Sequence, residues 1–246
     1  PSIIARYLSM NTKQKPFDNV KVRHAINYAI NKEALAKVAF SGYAVPAEGV
    51  VPAGVEYAEK FGAWPYDPAK AKQLLAEAGY PNGFSLKLDC PNDRYVNDEA
   101  ICQAVTAMWT RIGVKTTLQA APMAQFVTRV MNNDVSAYLF GWGVATFDAL
   151  YSLEALMATK DGKTSAGNYN GGRFSDATLD GMIGQIKVEM DAAKRDALLA
   201  QALQRVKDGY YYIPLHHQIR PWAMRKNVET PHRADDRPMP TWTTIK

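Results

Sequence analysis

In the stretch LFGWGVATFDALY, residues 139 to 151, Trp142 sits between two glycines and Asp148 follows it by six residues. The apolar run Ala137 to Phe140 reads as a buried strand, so both side chains fall at a strand mouth, where open α/β sheets hold ligands. Flanking glycines suit a turn better than a packed interior, and Trp142 is therefore expected to stand outside the core. Catalysis, by contrast, lacks its parts. MATKDGKT departs from a phosphate-binding loop at its first element, because Met157 stands five residues before Gly162. The histidines are His24, His216, His217 and His232, which form no H-E-x-x-H, and neither G-x-S-x-G nor a helix-opening G-x-G-x-x-G occurs. Neighbours on a strand face opposite sides. One of His216 and His217 is thus expected to point to the interior or a cleft and the other to solvent, with no shared metal. His217 is the one taken as a ligand contact.

The missing chemistry favours a binder. Tyr95, Trp142, Phe147, Tyr169 and Trp222 fall at expected strand ends or in loops, where rings offer contact area at low entropic cost. No cofactor and no metal-ligand set is written here. Two cysteines, Cys90 and Cys102, are too few for a zinc framework. A bridge between them suits an oxidising compartment; two buried thiols suit the apolar helical setting of Cys102, and that is the favoured expectation.

Composition narrows the class further. The chain of 246 residues is 47% hydrophobic and 22% charged, as expected for a soluble globular protein with a core of its own. No apolar run approaches the roughly 18 residues of a bilayer span. The net charge of +5 is scattered, and the basic C-terminal stretch around Arg220, Arg225, Lys226, Arg233 and Arg237 also carries Glu229, Asp235 and Asp236, so nucleic acid is not an expected partner. The chain opens PSIIARYLSMNT, with neither an initiator Met nor the order of a signal peptide, and is expected to be a processed chain or a piece of a longer one.

The elements that carry these residues are marked by their ends. YDPAKAKQLLAEAGYPNG has Asp67 as N-cap, Pro68 in the first turn, an apolar face of Ala71, Leu74, Leu75 and Ala78, and Gly79 as terminator. Val22, Ala25, Ile26, Ala29 and Ile30 keep helical spacing, and Asn31 caps a second helix that stops at Gly42. Then strand 84–89, helix 98–113, strand 114–120, helix 122–133 and strand 136–142 alternate, which predicts a mixed, largely parallel sheet flanked by helices. Beyond it come a helix around 149 to 158, a Gly/Asn/Ser-rich loop from Lys160 to Ser175, two helices across 176 to 208, and strands YYIPLHH and PWAMRKN. The last fifteen residues show no periodicity and are expected to need another body to pack against.

PFDNVKVRHAINYAINKEAL, GYAVPAEGVVPAG, YDPAKAKQLLAEAGYPNGFSLKL, GWGVATFD and YIPLHHQIRPWAMRKNV occur in this order. Together they resemble the C-terminal half of the family 5 extracellular solute-binding proteins, the dipeptide, oligopeptide and nickel-type receptors of ABC importers. The resemblance covers nearly the whole chain. It implies one lobe of a two-lobe (type II) periplasmic-binding-protein-like fold, with residues 1–225 as the second lobe and 226–246 returning to a first lobe of the same chain. It also implies a periplasmic or extracellular protein that encloses a small solute by hinge closure and docks on a membrane permease. In peptide-binding members an acid three residues beyond the strand-end Trp pairs with the ligand's ammonium. Here Ala145 holds that place and Asp148 lies farther on, which argues against free-amine peptides as the main solute. PNDRYVND occupies the loop from which members reach the ligand, so Arg94 is expected to pair with a carboxylate or other anion. Asn168, Tyr169 and Asn170 either line the cleft or make turns. Two other classes compete: a protein-interaction or chaperone-like module using an aromatic rim, and an α/β enzyme domain with an unlisted site.

Overall fold

The computed structural model describes residues 2–52, 55, 62, 64–233 and 235–246. The last residues of the GYAVPAEGVVPAG motif, Ala53 and Gly54, lie outside them. Helices α1 (Val20–Tyr28), α2 (Lys32–Phe40), α3 (Pro68–Glu77), α4 (Asp98–Thr110), α5 (Met123–Met131), α6 (Ala149–Ser152), α7 (Ala177–Val188) and α8 (Ala192–Asp208) follow the order read from the chain. A π-helical turn, Leu153–Met157, extends α6. The caps fall where the side chains demand. Asp67 accepts from the amide of Lys70 at 2.9 Å, Pro68 opens α3, and Gly79 closes the turn at φ +89°. Replacing Asp67 by Ala leaves an orphan amide, and the expected loss is about 1 kcal/mol of stability in urea unfolding.

Among the described residues, β2 (Ala44–Pro46), β6 (Tyr212–Gln218), β1 (Ile4–Met10), β5 (Ala137–Gly143), β3 (Ser85–Pro91) and β4 (Lys115–Ala121) form one sheet in that order. β3 runs parallel to β4 and β5; β1 is antiparallel to β5 and to β6, and β2 to β6. β3, β4 and β5 therefore point one way, as the alternation predicts; β6 joins them, and β1 and β2 run against them.

Helices cover both faces. Leu8, opposite Leu139 and Ile213, packs with Ile26, Leu75, Val105 and Trp109 of α1, α3 and α4. The indole of Trp109 donates to the carbonyl of Ile26 at 3.0 Å, joining α4 to α1. On the other face Tyr7 and Trp142 pack with Leu156, Ile183 and Leu203, while Phe126 and Val130 of α5 cover Tyr138.

Several expectations change. The buried strand β1 lies at the middle of the sheet, although the pattern of elements read from the sequence has no strand ahead of α1. Pro221–Asn227 form no strand; a two-residue pair, β7 (Val228–Glu229) with β8 (Thr244–Ile245), follows instead. Cys90 and Cys102 are bridged, not free. Trp142 lies within β5 and is buried, because Tyr151 and Tyr169 cover its ring. His216 and His217 are both buried within β6, so neither points to solvent.

Candidate functional site

β3, β5 and β6 end at Pro91, Gly143 and Gln218, and the antiparallel β1 begins beside them. The loops leaving this carboxyl edge carry Arg94 and Tyr95 after β3, and Phe147 and Asp148 after β5. Two clusters stand there, one on each face of the sheet.

The first is aromatic. Trp142 stacks on Tyr151 with centroids 5.1 Å apart and 24° between planes, and meets Tyr169 at 5.1 Å. Tyr151 and Tyr169 are exposed, so the group shows ring surface to solvent although the indole itself is buried. The indole nitrogen is buried and makes no hydrogen bond among the described residues. Tyr151 was not anticipated; its signal was the cap at Asp148, which puts residue 151 in the first turn of α6 and turns its ring back onto β5.

The second cluster is cationic. Register pairs Arg6 with Gly141 on one side and with His216 on the other, which sets the three on one face. Arg6 donates Nη2 to Oε1 of Gln218 at 2.9 Å, and its guanidinium carbon lies 4.1 Å from the centroid of the Tyr95 ring. Arg94, exposed, has its guanidinium carbon 5.3 Å from the same centroid. Burial first, then the like charges of Arg94 and Arg220, pull Arg6 down to about 10, so it stays cationic at neutral pH. Burial raises Tyr95, which stays a neutral phenol. Asp98 braces the loop by accepting from the amides of Arg94 and Tyr95 at 3.0 and 2.9 Å and from that of Glu99 at 3.0 Å. Arg6, Gln218 and Tyr151 were missed by motif reasoning, since an isolated Arg in a strand carries no spacing signature.

Other expected residues are employed differently. Asp148 caps α6 through the amide of Leu150 at 2.8 Å and pairs with Arg195 at 2.6 Å. Phe147 holds φ +57° and exposes half of its surface. Asn168 is exposed beside Tyr169, whereas Asn170 is buried and ties the carbonyls of Ala158 and Phe174, each at 3.0 Å. His217 is buried on β6; burial and then the Lys32 ammonium lower it to about 4. Burial, then Arg6 and His217, lower His216 to about 3. The structure thus unites Trp142 with Tyr169 and Arg94 with Tyr95, and leaves His217 inside and Asp148 engaged with α8.

An apolar cavity beside Trp64, Met157, Leu203 and Pro214 holds about 30 Å³, room for one water and none for a solute. No group of three or more His, Cys, Asp or Glu side chains among the described residues is arranged to hold a metal. No helix among them is long and apolar enough to cross a membrane.

The chain is similar to known proteins in sequence and in fold. The chain is 38% identical over 233 residues to the glutathione-binding protein GsiB of Escherichia coli strain K12, covering 93% of this chain and 45% of that protein. It is 39% identical over 211 residues to GsiB of Pectobacterium atrosepticum, covering 84% and 40%. It spans about half the length of the curated relatives it matches. Among solved structures, HbpA2 from Haemophilus parasuis superposes with a TM-score of 0.86 at 24% identity, over 100% of this chain and 48% of that one. The ABC transporter-associated periplasmic binding protein DppA from Helicobacter pylori, in complex with the peptide STSA, gives 0.82 at 24%, over 99% and 47%. These structures share its fold, that of one lobe of a type II binding protein. The family model for bacterial extracellular solute-binding proteins, family 5 (middle part), matches residues 1–164, two thirds of the sequence. The chain belongs to the bacterial extracellular solute-binding proteins of family 5.

Proposed function

We propose that these residues form the second lobe of the substrate-binding component of an ABC importer, with 1–225 as the lobe and 226–246 returning to a first lobe. The protein works in the periplasm, in keeping with a family of extracellular receptors rather than enzymes. The observation that carries the reading is the carboxyl edge of the sheet, which carries an aromatic group on one face and a guanidinium group on the other. Rings cover the apolar parts of a small solute and guanidinium fixes an acid. Trp142, Phe147, Tyr169, Asn168, Arg94 and Tyr95 line the lobe's half of the cleft. Asp148 holds the rim loop through Arg195, and His217 supports β6 from within. Solute bridging both lobes binds the closed state better than the open one and shifts the population toward it; the closed form docks on the permease.

Solutes with acid groups fit this edge best, and glutathione, the ligand in the names of the relatives, is the first to test; its free ammonium finds no acid at Ala145, so its recognition by this lobe rests on its carboxylates. Its two carboxylates suit the cationic cluster. Native mass spectrometry of the full-length protein from its own host is expected to show one retained small solute, and calorimetry to show one-to-one binding of glutathione. A solute-free protein that binds neither glutathione nor short peptides would sink the proposal. Residues 1–246 alone are expected to bind on the order of 100-fold more weakly than the full-length protein, because closure and half the contacts are gone. Equal affinity would remove hinge closure from the mechanism.

A further inference from the structure

Arg6 lies in the central strand with only 6% of its surface exposed. A buried charge is costly unless an opposite charge or several hydrogen bonds compensate it. Its hydrogen-bonding partner is the neutral amide oxygen of Gln218, and its other neighbour is the face of Tyr95. Among the described residues no carboxylate lies within ion-pair distance of it. Asp98, the acid that acts on it electrostatically, spends both oxygens on three backbone amides. Arg94 and Arg220 add like charge, and Arg220 has its own partner in Asp236 at 3.7 Å. The cluster is short of an anion.

The surroundings are shaped for this guanidinium. A Cβ on Gly141 would stand 2.3 Å from Nη1 of Arg6, and Gly141 is not among the residues at positive φ. No turn demands glycine there; the space for Arg6 does. The first glycine of the GWG motif is thereby explained. None of the Arg6 nitrogens is both sealed from solvent and unbonded, so the donors not given to Gln218 keep some contact with solvent. Gln218 and Tyr95 hold the planar fork in place before anything binds, which spares the ordering cost of a free Arg.

We infer that Arg6 is the specificity-determining residue of the site: a carboxylate of the solute docks on its guanidinium, and solutes lacking that acid are rejected. The inference rests on the carboxyl edge being the solute site. Exposed Arg94 adds attraction that solvent screens, whereas a solute acid supplies the counter-charge that buried Arg6 lacks.

The test uses the full-length protein, glutathione, and glutathione with one or the other carboxylate converted to an amide. The wild type is expected to lose on the order of 100-fold in affinity on one of the two amidations. Arg6→Met is expected to lose a similar factor for glutathione and to become indifferent to that same amidation. Arg94→Met is expected to cost only about 5-fold. Gly141→Ala, which keeps Arg6 but sets a Cβ 2.3 Å from its Nη1 and 3.2 Å from its Cδ, is expected to weaken glutathione about 10-fold while retaining a preference for the acid over the amide, a readout that a folding defect does not give. An Arg6→Met protein that still prefers the acid over the amide overturns the inference and leaves the solute-binding reading standing. If the wild type binds no glutathione, the solute retained from the host becomes the probe, and one without an acid group overturns the inference.

Discussion

Between pH 6 and pH 4.5 the free energy of unfolding falls by about 2.5 kcal/mol per pH unit, close to the slope of two protons taken up on unfolding. The protons go to His216 and His217, which burial lowers to about 3 and about 4 in the folded protein. In the unfolded chain both titrate near 6.5. Below that value the unfolded state binds two protons that the folded state refuses, so stability is complete above about pH 6.5 and is lost as pH falls toward the folded values. His24, lowered by burial and then by Lys70, acts in the same direction. Carboxylates enter lower down. Asp161, held to about 2 by the amides of Thr164 and Lys163, and Asp235, held to about 2 by Arg233, lose their protection only under about pH 4. Asp89, raised by burial against the pull of Arg129, works the other way and also near pH 4. Urea titrations at half-unit steps check the slope. His217→Gln is expected to halve it, and a slope near zero in the native protein would show that these imidazoles take up protons while folded.

The same two histidines show where sequence reasoning stops. Alternation along a strand correctly separates the faces of adjacent residues, but it does not say what covers each face. Here both rings are buried in β6, which lies between β2 and β1, His216 beside Arg6 and His217 beside Lys32. The first helices were legible because their ends are chemical: Asn31 and Asp67 accept amide hydrogen bonds where a cap is needed. β3, β4 and β5 were legible because short connections to helices leave a parallel sheet as the economical solution. β1 was not, since its pairing partners β5 and β6 lie more than a hundred residues away and its sequence, IARYLSM, interrupts the apolar run with Arg6 and Ser9. That interruption was the mark of the site. A charge in the middle of a central strand violates the local pattern, and such violations collect where function is served. Trp142, Tyr169, Arg94 and Tyr95 were visible as aromatic and cationic residues in loops, but their grouping, and the commitment of Asp148 to Arg195, required coordinates.

Removing the Cys90–Cys102 bridge is expected to cost about 3 kcal/mol, the loop-closure entropy of a cross-link spanning twelve residues. Cys90 lies near the end of β3 and Cys102 in the second turn of α4, with Cα atoms 6.6 Å apart. The inward spacing of Ile101, Cys102, Val105 and Trp109 forecasts the burial of Cys102, and burial alone argued for a thiol; partnership with Cys90 depends on how the strand meets the helix. The closed loop contains Arg94, Tyr95 and Asp98. It is anchored at one point by the bridge and at another by the amides that Asp98 gathers, so loss of the bridge acts locally as well as globally. Cys90→Ala with Cys102→Ala avoids burying new hydroxyls and is the variant to measure by urea unfolding against the oxidised protein. Hydrogen exchange of the same pair is expected to quicken first at the amides of 92 to 101, before those of α7 and α8, because Tyr95 then leans on Arg6 without a fixed tether behind it. A stability change under about 0.5 kcal/mol would mean that the unfolded chain already holds the two segments together, and that Asp98 alone keeps Tyr95 against Arg6.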